Sequence, residues 1–355
     1  MQAVSRLTQC LDLVLFLYFW SGRVATPKAV IDPLTCLIAA LKALKVYRDY
    51  ANYVPSQPAI VTVGTFDGVH IGHQKILSRI AELAKTGGMQ SVLLTFFPHP
   101  RMVLFPDDND LRLLSTMDEK IELVRKLGIE HLIIHPFSKA FSRMSAEAYV
   151  EEILVQGLNV RTLVIGHDHH FGRNREGNLE ELTRLSEAHG FELEEIPAQE
   201  ISAVNVSSTK IRQSLADGDI AKANSFLGYP YGFQGRVVAG NQLGRTLGFP
   251  TANLQAVEPL KRIPAQGAYA GLVKVEGATY QAMINIGVRP TIGQNFTTTI
   301  EVHLLDFDGD LYGKTLSIDF YHRLRPEIKF ENTERLKEQL SKDAAHAKSL
   351  LDSLA

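Results

Sequence analysis

A β-branched run at residues 60–63 stops at Gly64 and again at Gly68, and from His73 onward apolar residues recur at helical spacing as Ile76, Leu77, Ile80, Leu83 and Ala84. A strand that breaks on glycines and opens into a helix constrains the fold strongly, because α/β proteins use that unit to aim backbone N–H groups and a positive helix end at phosphate. His70 and His73 stand at the helix start, where imidazoles can donate hydrogen bonds to phosphate oxygens and Gly72 keeps the approach open. A plain strand–turn–helix with two surface histidines satisfies the same pattern, so the stretch alone leaves both readings open.

The chain beyond it alternates. Residues 91–97 read as a second buried strand, ending at Pro98-His-Pro100. Thr116 and Glu119 form a capping-box pattern ahead of Ile121, Leu123, Val124 and Leu127, and residues 131–134 are a strand. Ser145 caps a helix that Gly157 closes; then come a strand at 162–165, a helix at 179–188 and a strand at 191–196. At least four such alternations predict a parallel sheet covered on both faces, with ligands at the carboxyl ends of its strands. The 61–73 stretch and the loops 97–100 and 166–171 all follow strands and share that edge. Residues 206–212, Val-Ser-Ser-Thr-Lys-Ile-Arg, open a further helix whose hydroxyls and Arg212 suit an anion, although an ordinary capped helix start reads the same way.

Past residues 227–230 the pattern changes to short β-branched or period-two segments at 233–238, 271–275, 280–286, 297–305 and 316–321. Strands without intervening helices predict a small antiparallel barrel or sandwich, closed by a helix at 332–350 with an apolar stripe. Residues 240–253 contain Gly240, Gly244 and Gly248 for close approach to a phosphate, and Arg245 to pair with one. Thr251 and Asn253 are hard oxygen donors two apart, suited to Mg2+, and the loop lacks the Gly-Lys-Ser/Thr ending of a Walker motif. Glu301 lies on a period-two strand with Ile300 and Val302 facing the other side; it is either a general base for a hydroxyl or a solvent-facing residue.

A net charge of −2 over 355 residues supplies no basic field for nucleic acid. The two cysteines, Cys10 and Cys36, fit a reducing, cytoplasmic compartment. The apolar run at 13–20 is shorter than the roughly 20 residues a membrane span needs. Residues 1–44 are therefore read as an extension outside the fold, with no membrane role.

In one register, His70-x-Gly-His73, Phe97-Pro-His-Pro100, Gly166-x-Asp168, Ser207-Ser-Thr-x-Ile-Arg212 and Gly248-Phe-Pro-Thr-Ala-Asn253 closely resemble the prokaryotic bifunctional riboflavin kinase/FAD synthetase family. The resemblance runs from about Lys45 to near the C-terminus. It implies an α/β nucleotidylyltransferase-type, Rossmann-like parallel sheet at 45–228, the FAD synthetase (FMN adenylyltransferase) domain. A small antiparallel β-barrel with a C-terminal helix at 229–355 would be the riboflavin kinase domain. The kinase would phosphorylate riboflavin to FMN with ATP, and the other domain would adenylylate FMN to FAD with a second ATP, releasing pyrophosphate. His70, His73 and Arg212 would stabilise adenylyl transfer, with Gly64, Phe66, Gly72, Ser208 and Thr209 around its ATP. Asp168 and Pro98 would meet the flavin of that site. In the kinase, Glu301 would be the base, Thr251 and Asn253 the Mg2+ ligands, Gly240, Gly244 and Arg245 the ATP contacts, and Asn285 and Arg289 the flavin contacts. The partners implied are riboflavin, FMN and ATP, with homo-oligomerisation left open.

Two departures stand out. His169 and His170 occupy positions where relatives carry an aromatic and then a basic or polar residue, which puts a polar wall in the flavin pocket. With His167 they also suggest zinc, but no cysteine or second ligand cluster is in reach by sequence, so the polar wall is the preferred reading. The loop Asn241-Gln-Leu-Gly-Arg245 is less basic than in relatives, an expected cost in the kinase's KM for ATP. Relatives begin near a Lys-Val-Tyr-Arg stretch, so a non-standard start codon at Leu44 is the expected origin of the native chain.

Overall fold

The structure, a computed structural model, describes residues 44–107, 111–166, 171–172, 177–197, 206–239, 243–290 and 296–354. The expectations for residues 1–43, Cys10 and Cys36 among them, concern a segment outside the described residues; Leu44, read with them as lying outside the fold, is instead buried in a core cluster with Ile60 and Leu132.

The first sheet contains β1 (Lys45–Tyr47), β2 (Ala59–Val63), β3 (Gln90–Phe97), β4 (His131–Pro136), β5 (Val160–Gly166) and β6 (Glu192–Ile196). Their order is β1-β4-β3-β2-β5-β6, and every pairing is parallel. β2 is buried throughout because both sheet faces are covered, as parallel sheets require. Helices α1 (Ile71–Gly87) and α3 (Met117–Lys126) bury Leu77, Ile80 and Val124 against Ile60, Leu93 and Leu132. On the other face, a helix starting at Ala146 and continuing as a π-helix over Tyr149–Gly157 covers Val61, Leu94 and Leu163 together with α5 (Leu179–His189). The intervening helices are α2 (Pro100–Leu104) and α4 (Ala146–Ala148). β2 connects away from β5, so the strand order reverses between them, and an α/β sheet binds ligands in the crevice at such a switch point. The phosphate-type turn follows one of these strands and the Gly166 loop follows the other.

The second sheet settles the choice between barrel and sandwich. β7 (Gly232–Val238), β8 (Ala252–Ala256), β9 (Gly267–Val275), β10 (Ala278–Pro290), β11 (Phe296–Leu304) and β12 (Thr315–Arg325) close into an antiparallel barrel, β10-β11-β8-β7-β12-β9. Its core includes Tyr269, Ile284, Val302, Ile318 and Phe320. The helices α6 (Ser208–Asp217) and α7 (Ile220–Leu227), which precede the barrel, add Ile211, Leu215, Ile220 and Phe226 to the same core. A short helix α8 (Leu243–Thr246) follows β7. The C-terminal helix α9 (Thr333–Asp352) lays Ala347 and Leu351 on the outer face over Ala270 and Met283.

Candidate active sites

At the switch point, the turn after β2 is held in an unusual conformation. Phe66 and Val69 have φ of 45° and 35°, in the left-handed region that side chains, and β-branched ones above all, avoid. Both are buried, and such strain is kept where surrounding structure over-determines it. Gly68 at φ 79° is obligatory on two counts, since a Cβ there would also lie 2.9 Å from the Leu114 Cβ.

His70 caps α1 with Nδ1 accepting from the His73 N–H at 3.4 Å, which leaves the proton of the neutral ring on Nε2 as a donor. The His70 and His73 rings stack 3.6 Å apart at 16°. His73 Nδ1 is buried and has no hydrogen-bond partner among the described residues. Burial first, then His70 and Lys120, hold the His73 pKa well below its ordinary value, so the ring is neutral. Gly72 is buried in the first turn between them, and Gly64 closes the strand with its N–H on the Leu94 carbonyl at 3.1 Å.

The residue that organises the turn is one the sequence reading passed over. Asp67 is 2% exposed, and its carboxylate accepts from the N–H groups of Leu114 (3.0 Å) and Ser115 (3.2 Å) and from the Arg212 guanidinium. Arg212 Nε also donates to the Arg112 carbonyl at 2.8 Å, and Ser208 Oγ donates to the Asp67 carbonyl at 3.0 Å. Ser208 and Arg212 thus reach the turn directly, while Thr209 lies between them in the first turn of α6. Lys120 was missed as well. It is buried, donates to the Thr65 carbonyl at 2.7 Å, and has a pKa lowered to about 8 by burial against the opposing pull of Asp67. His99 caps α2, and burial lowers its pKa to about 4, with Asp67 pulling it upward. Pro98 precedes it through a cis peptide from Phe97. Near this edge Tyr149 stands between Phe141 (6.3 Å) and Phe171 (5.5 Å), its buried hydroxyl without a partner among the described residues. Asp168 and the three neighbouring histidines lie outside the described residues. The signals that were available are an acid inside Thr65-Phe-Asp-Gly68 and a lysine directly after a capping-box glutamate.

The second site lies on the barrel's outer face. In register, Asn253 on β8 opposes Glu301 on β11, which opposes Asn285 on β10. Directly opposed residues of antiparallel strands point the same way, so three expected site residues form one row. Ile300 and Val302 face into the barrel core, as the period-two pattern predicts. Gly244 packs against the segment that leads into β8. A Cβ there would come 2.3 Å from the Phe249 carbonyl and 3.1 Å from Thr251 Oγ1, and the Phe249 N–H donates to the Gly244 carbonyl at 2.8 Å. Glu327 hydrogen-bonds Asn285, and its pKa is raised by burial, with Arg325 opposing and Glu301 adding repulsion. Arg325 in turn pairs with the buried Asp343 of α9 at 2.9 Å.

Thr251 and Asn253 offer a hydroxyl and an amide carbonyl, hard oxygen donors of the kind that fits Mg2+ retaining several waters. Gly240 lies outside the described residues. Arg245 belongs to α8 and Arg289 to β10.

The comparisons follow the same division. The family model "FAD synthetase" matches residues 54–210 and "Riboflavin kinase" matches residues 227–351. A bifunctional riboflavin kinase/FMN adenylyltransferase of Listeria monocytogenes is 36% identical over 295 residues, covering 83% of this chain and 93% of the relative. One from Pseudomonas fluorescens is 38% identical over 308 residues, covering 86% of this chain and 98% of the relative. A crystal structure titled as a macrolide-efflux protein from Streptococcus pneumoniae superposes with a TM-score of 0.79 at 29% identity, covering 86% of this chain and 99% of that one. Among the described residues no helix is long and apolar enough to cross a membrane.

Proposed function

The chain belongs to the bifunctional riboflavin kinase/FMN adenylyltransferase family, and on that premise we propose how its residues divide the two reactions. It phosphorylates riboflavin to FMN with ATP and joins FMN to AMP from a second ATP, giving FAD and pyrophosphate. Residues 45–228 carry the adenylyl transfer and residues 229–355 the kinase.

In the kinase, Glu301 takes the proton of the riboflavin 5′-hydroxyl as its oxygen attacks the γ-phosphorus and ADP leaves. The observation that carries this is the row Asn253–Glu301–Asn285, which sets a carboxylate between two amides on one face. Thr251 and Asn253 hold the Mg2+ that arrives with ATP, which supplies charge neutralisation at the phosphates. Gly240, Gly244 and Arg245 cradle the triphosphate. Asn285, aided by Glu327, and Arg289 orient the flavin.

In adenylyl transfer, an oxygen of the FMN phosphate attacks the α-phosphorus and pyrophosphate leaves in line. The α1 N-terminus and the Nε2–H of His70 stabilise the charge that develops, with neutral His73 stacked beneath. Arg212, Ser208 and Thr209 grip the leaving phosphates. Asp67 fixes where Arg212 sits, and Gly64, Phe66 and Gly72 shape the approach. Pro98, Asp168 and the aromatic pair Tyr149–Phe171 suit the planar flavin. The positions of these groups do most of the catalytic work. A cytoplasmic location accords with the supply of ATP.

The purified chain is incubated with riboflavin, ATP and Mg2+, and FMN and FAD are followed by chromatography. Both products are expected. Asn253→Ala abolishes FMN formation while FAD still forms from added FMN, and His70→Ala does the reverse. The absence of both products overturns the reading, and unchanged FAD formation in His70→Ala overturns the role of the turn.

A further inference from the structure

The link from β8 to β9 leaves the barrel and lies against the loop before α3. Leu113 donates its N–H to the Leu260 carbonyl at 2.7 Å and accepts from the Arg262 N–H at 2.8 Å, a short parallel bridge centred on Lys261. Lys261 is 4% exposed. Its ammonium donates to the Leu114 carbonyl at 2.7 Å, pairs with Glu119, and stands 4.6 Å over the Tyr231 ring. Glu119 closes the capping box of α3 by accepting from the Thr116 N–H at 2.9 Å.

The segment that accepts from Lys261 on one side binds Asp67 on the other. Leu114 gives its carbonyl to Lys261 and its N–H to the Asp67 carboxylate, and Ser115 adds a second N–H. The Ser115 hydroxyl accepts from the Gly68 N–H at 3.1 Å. Nearby, the Tyr229 hydroxyl donates to the Gly68 carbonyl at 2.5 Å, and Gln74 of α1 donates to the Leu227 carbonyl at 2.7 Å. A buried ion pair is a weak source of stability, because desolvation offsets its attraction, so the placement of Lys261 calls for another explanation. Its two hydrogen-bond acceptors, the Leu114 carbonyl and the Glu119 carboxylate, both belong to the stretch that runs from residue 113 into α3.

We infer that Lys261, a residue of the kinase barrel, is a positioning residue for adenylyl transfer: it fixes the peptides of residues 113–115, which hold Asp67 against Arg212. The ATP grip of one active site is thereby set by a side chain from the domain of the other. This rests on the adenylylation site proposed above.

The test uses the full chain carrying K261M together with E119Q, which removes the ammonium, leaves no unpaired charge and keeps an acceptor for the capping box. FAD formation from FMN, FMN formation from riboflavin and the melting temperature are measured. The expected result is at least a tenfold loss in kcat/KM for ATP in FAD formation, with KM for FMN and the rate of FMN formation within twofold of wild type. K261R, which keeps a cation, returns FAD formation to within threefold. Wild-type kcat/KM for ATP in the double variant overturns the inference. So does a parallel fall of both reactions, by unfolding or otherwise, or a K261R variant as impaired as the double one. Arg212→Ala is assayed alongside: if it leaves FAD formation unchanged, the site assignment fails, whereas an impaired Arg212→Ala beside a normal double variant removes only the role of Lys261.

Discussion

The Asp67 carboxylate, buried in the strained turn after β2, meets the guanidinium of Arg212, 145 residues further along the chain. That contact joins the two halves of the proposed adenylyl-transfer site. It also gives Asp67 a role that its position inside a short turn does not reveal.

Asp67→Asn should therefore damage both fold and chemistry. Breaking a largely buried pair from one side costs about 3 kcal/mol. FAD formation is expected to fall at least tenfold while FMN formation stays within twofold. Urea titration and product chromatography check the two effects separately. Asp67→Asn with Arg212→Met restores much of the stability, since no unpaired charge remains, but none of the FAD formation.

Lys120 sets an alkaline limit on the same reaction. Its pKa is lowered to about 8, chiefly by burial, so its charge disappears as pH rises through that value. The log of kcat/KM for FAD formation should bend downward near pH 8. Lys120→Arg, which keeps its charge, moves the bend upward, and FMN formation shows no change between the two proteins. A pH–rate profile for each reaction decides it.

At the other end of the pH scale, His131 affects stability. Burial, helped by Lys45, lowers its folded pKa to about 4 from an ordinary 6.5. Between those values the unfolded chain binds a proton that the folded chain refuses, so stability falls as pH drops through 6.5 and levels off below about 4. The loss attributable to this ring is about 2 kcal/mol by pH 5. Denaturant titrations at pH 7.5, 6 and 5 should show it, and His131→Gln should flatten the slope by that amount.

Gly244→Ala tests the kinase loop. The added methyl would sit 2.3 Å from the Phe249 carbonyl, a separation no real contact reaches, so residues 249–251 must move and carry Thr251 with them. FMN formation is expected to lose at least tenfold in kcat/KM with the loss concentrated in ATP, while FAD formation from added FMN is kept. Steady-state kinetics for both reactions distinguish this from general unfolding.

The sequence was legible wherever a pattern is local. Buried β-branched runs, caps at Thr116 and Ser145, and period-two strands marked the sheet and five of the six barrel strands, with Ile300 and Val302 placed on the inward face; β8, Ala252–Ala256, was read as the end of a loop. Barrel and sandwich share that periodicity. They differ only in closure, here the pairing of β12 with β9, as Ser317 with Lys274, which no local signal encodes. β1 escaped notice because three residues at a sheet edge carry no period. Asp67 and Lys120 escaped for a related reason. Their partners, Leu114, Arg212 and Thr65, lie far away in sequence, and burial of a charge is a property of the fold rather than of the neighbouring residues. The row Asn253–Glu301–Asn285 was foreseen residue by residue, but its shared face was not.

The helices α6 and α7 begin at the residues that contact the turn and end by burying Leu215, Ile220 and Phe226 in the barrel core. A chain severed at the junction near residue 228 would strip these side chains from the barrel core and leave the helix that carries Arg212 without the surface it packs against. For a cell this ties the supply of the two catalysts together at one copy each. Their relative output can then be adjusted through substrate levels and turnover, but not through differential expression of two genes.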